Sequence, residues 1–164
     1  MQSVLRRLAA LFACAGGLVA CGVALMVVGS ISGRAALSSP VPGDVELTQL
    51  GIGLAIALCL PWAQLRGANI IVDFFTQRAS ARTLRRLDGL GSLLLAVMAG
   101  LLAWRSAVGA VSVAQAQEQT MILGLPMWWS YAILAPGLAL TGVIALWQAA
   151  RHWRGQPAFV GAAE

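Results

Sequence analysis

Four long apolar runs, three of them without a charge, constrain this chain more than anything else in it. The first, Leu8 to Ile31, has 24 residues without a charge. As a helix rising 1.5 Å per residue it is about 36 Å long, enough to cross a hydrocarbon core of about 30 Å with some tilt. The others are Leu47 to Ala63, Gly89 to Ala107 with Arg105 near its far end, and Met127 to Trp147. Only helices with all their backbone hydrogen bonds made internally, or closed barrels, are stable in lipid. Runs of this length therefore predict four membrane helices, at about 8–31, 47–63, 89–107 and 127–147. The predicted fold is all-α, an integral membrane four-helix bundle formed by one domain over residues 1–164.

Composition agrees. Of 164 residues, 59% are apolar and 10% charged, against roughly 25% charged in soluble domains. A water-soluble fold of this size has too little polar surface to cover so many apolar side chains. The net charge of +5 comes from eleven basic residues, all arginine, and six acidic ones. These arginines form no continuous patch beside stacking aromatics, which argues against nucleic acid as a partner. They lie between the apolar runs instead. Nine fall on one side: Arg6, Arg7, Arg66, Arg78, Arg82, Arg85, Arg86, Arg151 and Arg154. The positive-inside bias places that side, and with it both termini, in the cytoplasm. Trp62, Trp104, Trp128, Trp129 and Trp147 stand near the predicted helix ends, where indole rings anchor at the interface. Arg6-Arg7 and the stretch ending at Cys21 have the outline of a lipoprotein leader, but the apolar run continues ten residues past Cys21. The first run is therefore read as a retained helix.

Reactive groups are scarce. Cys14, Cys21 and Cys59 lie inside apolar runs, and Cys14 and Cys21 are about 10 Å apart along one helix, too far for a disulfide. The lone histidine, His152, falls in what reads as a solvated tail, so axial haem ligands inside a bundle are missing. No Asp, Glu, Lys, Arg or His occupies the centre of any run, whereas secondary transporters place ionisable groups or broken helices there. A four-helix membrane enzyme and an autonomous small exporter are the alternative readings, and each lacks the residues it needs. No cofactor or metal site is expected. What the runs do contain is small residues at helical spacing: Ser130, Leu134, Gly137, Thr141 and Ala145; Gly16, Ala20, Ala24, Gly29 and Gly33; Ala96 and Gly100. Such stripes let helix backbones approach closely in lipid.

Between the second and third runs, Pro61 is expected to kink or end its helix. Ile70, Ile71, Val72, Phe74 and Phe75 around Asp73 suggest a short interfacial element on the cytoplasmic side. Ser80 is a candidate N-cap for the next helix, on which Asp88 is spaced to pair with Arg85.

Two motifs then stand out. Glu46, followed by Gln64-Leu65-Arg66-Gly67-Ala68-Asn69-Ile70 and Val72-Asp73, resembles the helix-two signature of the small membrane subunit of tripartite ATP-independent periplasmic (TRAP) transporters. Leu125-Pro126-Met127-Trp128-Trp129, with Tyr131 and Pro136-Gly137, resembles the start of helix four in that subunit. The similarity extends over roughly Leu5 to Trp153. One departure is Asn69, where the family often has histidine; an amide hydrogen-bonds but does not titrate. The resemblance implies an accessory scaffold in the bacterial inner membrane, packed against a large membrane subunit. That subunit imports organic acids with sodium, supplied by a periplasmic substrate-binding protein. It also implies that Glu46, Gln64, Arg66, Asn69, Asp73, Trp128, Trp129, Tyr131 and Pro136 are structural or subunit-interface residues.

Overall fold

A computed structural model of the chain describes residues 2–37, 41–68 and 80–156. Its helices are α1 (Gln2–Leu37), α2 (Asp44–Arg66), α3 (Ala81–Gln115) and α4 (Trp128–Trp153). All four are long and apolar enough to cross a membrane. Each outruns its apolar run, α1 and α3 most of all. At 36 and 35 residues these two are about 54 and 52 Å long, well beyond a hydrocarbon core of about 30 Å. The ends project into headgroups and water, where charges such as Arg6, Arg82 and Arg86 cost a helix little. Charge limits the run within lipid but does not limit the helix. The expected interfacial element lies largely within residues 69–79, outside the described residues.

Local signals explain the helix ends. Asp44 and Glu46 sit in the first turn of α2, where carboxylates oppose the positive end of the helix dipole. Of the two outcomes expected of Pro61, ending the helix does not occur: α2 runs on through it to Arg66. The stop is Gly67, left-handed at φ 66°, whose N–H donates to Gln64 O at 3.1 Å while Ala68 N–H donates to Ala63 O at 3.0 Å. This is the glycine-dependent closure of a helix C-terminus. Ser80 caps α3 as expected, its Oγ accepting from Thr83 N–H at 3.3 Å. Asp88 and Arg85 do not pair; among the described residues Arg34–Asp44 is the sole ion pair. An acid placed after its base on a helix has the less favourable orientation, and exposed pairs gain little over hydration.

The helices pack as a row in the order α1, α2, α4, α3. α1 lies along α2 and α3 along α4, each as an antiparallel hairpin, while α2 and α4 run side by side in the same direction. α1 touches α4 only slightly, where Leu5 and Ala9 meet Leu65 and Ile144 beneath Trp62 and Trp147. The row therefore has two ends. The basic end carries Arg6, Arg66, Arg151 and Arg154; the far end carries Arg34, Glu46 and the α3–α4 connection.

Small residues make the joints. A Cβ on Gly137 of α4 would overlap the carbonyl oxygen of Ala57 in α2. That carbonyl lies four residues before Pro61, which has no N–H to give it, so the i+4 hydrogen bond that α2 lacks falls where Gly137 of α4 lies against it. Gly16 brings α1 onto α2, a Cβ there falling 2.8 Å from Cys59 Sγ and 3.0 Å from Ala55 O. Gly142 does the same between α4 and α3, 3.4 Å from Ala96 O. Thr141 and Ala145 are buried on α4, so the predicted stripe on that helix is a packing face. Ala20, Ala24 and Gly29 of α1 are exposed, and their spacing does not mark a joint within this chain.

Gly137→Leu should separate α2 from α4 and lower stability by about 1–3 kcal/mol, the usual cost of overpacking. Gly22→Ala, with open space around its Cβ, should be neutral. Thermal unfolding in mild detergent compares the two.

Candidate functional site

The sequence-predicted residues divide between the two ends of the row. At the far end, Glu46 projects from the first turn of α2 toward the α3–α4 connection. Its Oε1 accepts Ile122 N–H at 2.8 Å and its Oε2 accepts Leu123 N–H at 3.1 Å. The connection is a small hairpin with one antiparallel bridge between Gln119 and Pro126. Inside it, Thr120 N–H donates to Leu125 O at 2.9 Å, Leu125 N–H donates to Thr120 Oγ1 at 3.0 Å, and Gly124 turns at φ 64°. Leu123 packs over Gly43, where a Cβ would come within 2.5 Å of Leu123 Cγ. One carboxylate thus holds a tip of three apolar residues, Met121, Ile122 and Leu123, outside the row; Met121 is 100% exposed.

Asp44, in the same first turn as Glu46, ties the other hairpin. Its Oδ2 accepts Ser30 Oγ–H at 2.6 Å and Arg34 Nη2–H at 3.4 Å, while Ser30 Oγ accepts Val41 N–H at 3.3 Å. Ser30 is 1% exposed. The pair closes the α1–α2 turn, a role the sequence reading did not assign to either residue. Its one signal was a serine near the end of an apolar run with Arg34 a turn later.

Trp128 and Trp129 open α4 with rings edge-to-face at 6.1 Å and 87°. Both are partly exposed, as interface anchors should be. Tyr131 lies against Gly109 of α3, where a Cβ would fall 3.3 Å from its ring. Pro136 is exposed on α4 beside the buried Gly137.

At the basic end, Gln64 is buried between α2 and α4. Its Nε2 donates to Gln148 Oε1 at 2.7 Å, and Gln148 Nε2 donates back to the Gln64 backbone oxygen at 2.9 Å. Gln64 is 3% exposed and Gln148 0%. A buried amide is tolerated in lipid only with its hydrogen bonds made, and these two satisfy each other across the central joint. Gln148 was missed because it lies just past the apolar run ending at Trp147, where a glutamine reads as solvated. His152 was misread for the same reason: it is a buried residue in the last turn of α4, not part of a tail. Arg66 is exposed and stacks over the Trp62 ring at 5.0 Å, while Arg151 stacks over Trp147 at 4.8 Å and donates to Gln2 Oε1 at 3.2 Å. Asn69 and Asp73 lie outside the described residues. Glu46 and Gln64 thus belong to different ends and form no common pocket. Among the described residues, no three of His, Cys, Asp and Glu gather into a metal-binding set.

Gln148→Leu removes both hydrogen bonds from Gln64 and should cost about 1 kcal/mol, in the range of interhelical hydrogen bonds in membranes. The double variant Gln64→Leu/Gln148→Leu should recover part of that, since the facing Nε2 and Oε1 atoms are removed together; a double-mutant cycle by detergent unfolding measures it. Glu46→Gln keeps the shape but loses the charge on two charge-assisted bonds. Amide exchange at Ile122 and Leu123 should quicken in that variant, with exchange in the α2 core unchanged.

No curated protein and no solved structure gave a significant match to the chain. The family model described as "Tripartite ATP-independent periplasmic transporters, DctQ component" matches residues 23–155, from the middle of α1 to the end of α4, including Glu46, Gln64, Gln148 and the hairpin. Over that span a four-helix membrane protein carries the family's pattern, and the chain belongs to the DctQ component family, the small membrane subunit of TRAP transporters.

Proposed function

We propose that this chain is the accessory scaffold of a sodium-coupled TRAP transporter in the bacterial inner membrane. As a single domain over residues 1–164, with its basic end and both termini in the cytoplasm, it packs against the large membrane subunit that imports organic acids. A periplasmic substrate-binding protein delivers those acids on the far side. The observation that carries this reading is the shape of the row. Its four helices lie side by side instead of closing around a core, so broad apolar faces stay uncovered: Leu11, Leu18 and Leu25 on α1, and Leu94, Met98 and Leu101 on α3. The central turns of all four helices contain no Asp, Glu, Lys, Arg or His, so nothing within the chain offers a carboxylate to sodium or a cation to an organic acid at mid-membrane. A layer of this kind is suited to hold a partner at constant depth while part of that partner moves. Tryptophans at the helix ends and arginines at the basic end resist vertical displacement.

The tip Met121-Ile122-Leu123, held by Glu46, faces the side from which the binding protein delivers. Arg66, exposed on its Trp62 platform, stands where α2 leaves the membrane and is assigned to the contact with the large subunit.

Co-purification in mild detergent should recover the large subunit with the tagged chain, and proteoliposomes should take up an organic acid under a sodium gradient only when both subunits are present. Uptake by this chain alone, or repeated recovery of only a homo-oligomer, would sink the reading. Arg66→Ala should weaken association or uptake severalfold; normal values for both would remove Arg66 from the interface.

A further inference from the structure

At the basic end, the slight contact between α1 and α4 leaves a groove of about 400 Å³. Leu5 of α1 and Val143, Leu146 and Trp147 of α4 form its apolar floor, and Arg151 and Arg154 stand at its mouth. We propose that this groove binds one anionic phospholipid, its phosphate on the two arginines and the start of an acyl chain along the apolar floor.

Charge and depth both support that occupant. Arg151 and Arg154 have no carboxylate within ion-pair distance among the described residues, where Arg34–Asp44 at the opposite end is the sole ion pair. Arg151 is held in place: its guanidinium rests over Trp147, Nη1 donates to Gln2, and Nε is buried without a hydrogen-bond partner. A cation held in place beside the exposed Arg154, where an apolar groove reaches the basic end, matches a phosphate attached to a hydrocarbon chain. A free anion would satisfy the arginines but leave the floor of Leu5, Val143 and Leu146 uncovered. A neutral acyl chain would do the reverse. Arg6 and Arg7, exposed on the adjoining turns of α1, add positive charge at the same membrane level. Basic pockets between membrane helices at this depth are known to select anionic headgroups. The proposal needs only the membrane placement of the helices and is independent of the transport reading.

The full-length chain in nanodiscs of equal phosphatidylglycerol and phosphatidylethanolamine tests it, with native mass spectrometry of the lipid retained on release. Phosphatidylglycerol should be retained in preference, and the preference should fall about fivefold for each arginine removed, the effect of one basic residue near a charged membrane. Arg151→Gln/Arg154→Gln should abolish it, while Arg105→Gln on α3 should leave it intact. Arg154→Gln alone, at an exposed position, guards against loss of folding in the double variant, and helical circular dichroism checks each protein. Equal retention of the two lipids would overturn the proposal, as would a preference unchanged in the arginine variants. Displacement of the lipid by excess inorganic phosphate would assign the site to free anions instead. Loss of the lipid on binding the large subunit would assign the groove to that subunit.

Discussion

Everything in this molecule hangs on the joint between α2 and α4. α1 packs on α2 and α3 packs on α4, so the two hairpins are connected through that one seam, helped slightly by Leu5 and Ala9 of α1. In lipid the seam cannot draw on the hydrophobic effect, because acyl chains are as apolar as leucine. It relies on close approach and hydrogen bonding instead. Gly137 lets α4 reach the Ala57 carbonyl that Pro61 leaves without its i+4 hydrogen bond, and seven residues further along α2 the paired amides of Gln64 and Gln148 lock the same two helices together. Glycine and proline, which weaken helices in water, here make the contact possible.

The far end is organised by charge. Two carboxylates in the first turn of α2 each grip a different neighbour: Asp44 takes Ser30 and Arg34 of α1, and Glu46 takes the backbone of the α3–α4 hairpin. Both also complement the α2 dipole. A single helix start thereby fixes the ends of both hairpins, which complements the seam at mid-membrane and the amide pair at the basic end. The layer is thus tied at three levels while its outer faces stay open, an arrangement that suits the scaffold role proposed above.

Much of this is legible in the amino-acid sequence. Long apolar runs mark four helices, Ser80 marks a cap, and Gly137, Thr141 and Ala145 mark a packing stripe. The errors share a cause. Helix ends were placed where charge or proline appears, yet a helix leaves the membrane without having to stop, and Pro61 costs α2 one hydrogen bond whose acceptor lies at a close crossing. For the same reason His152 reads as a solvated tail residue and Gln148 attracts no notice in the sequence, although both are buried. Glu46 was singled out by its motif, but no local pattern connects it to the amides of Ile122 and Leu123, 76 and 77 residues away.

By itself the sequence determined the solvent, the number of crossings and the family, because these follow from transfer free energy summed along the chain and from motifs at fixed spacing. Tertiary structure decided the order of the row, the partners of Glu46, Asp44 and Gln64, and the groove beside Arg151. In lipid every apolar helix face is equally acceptable to its surroundings. Hydropathy therefore cannot say which faces meet; shape, at a few glycines, and hydrogen bonds between residues distant in the chain make that choice.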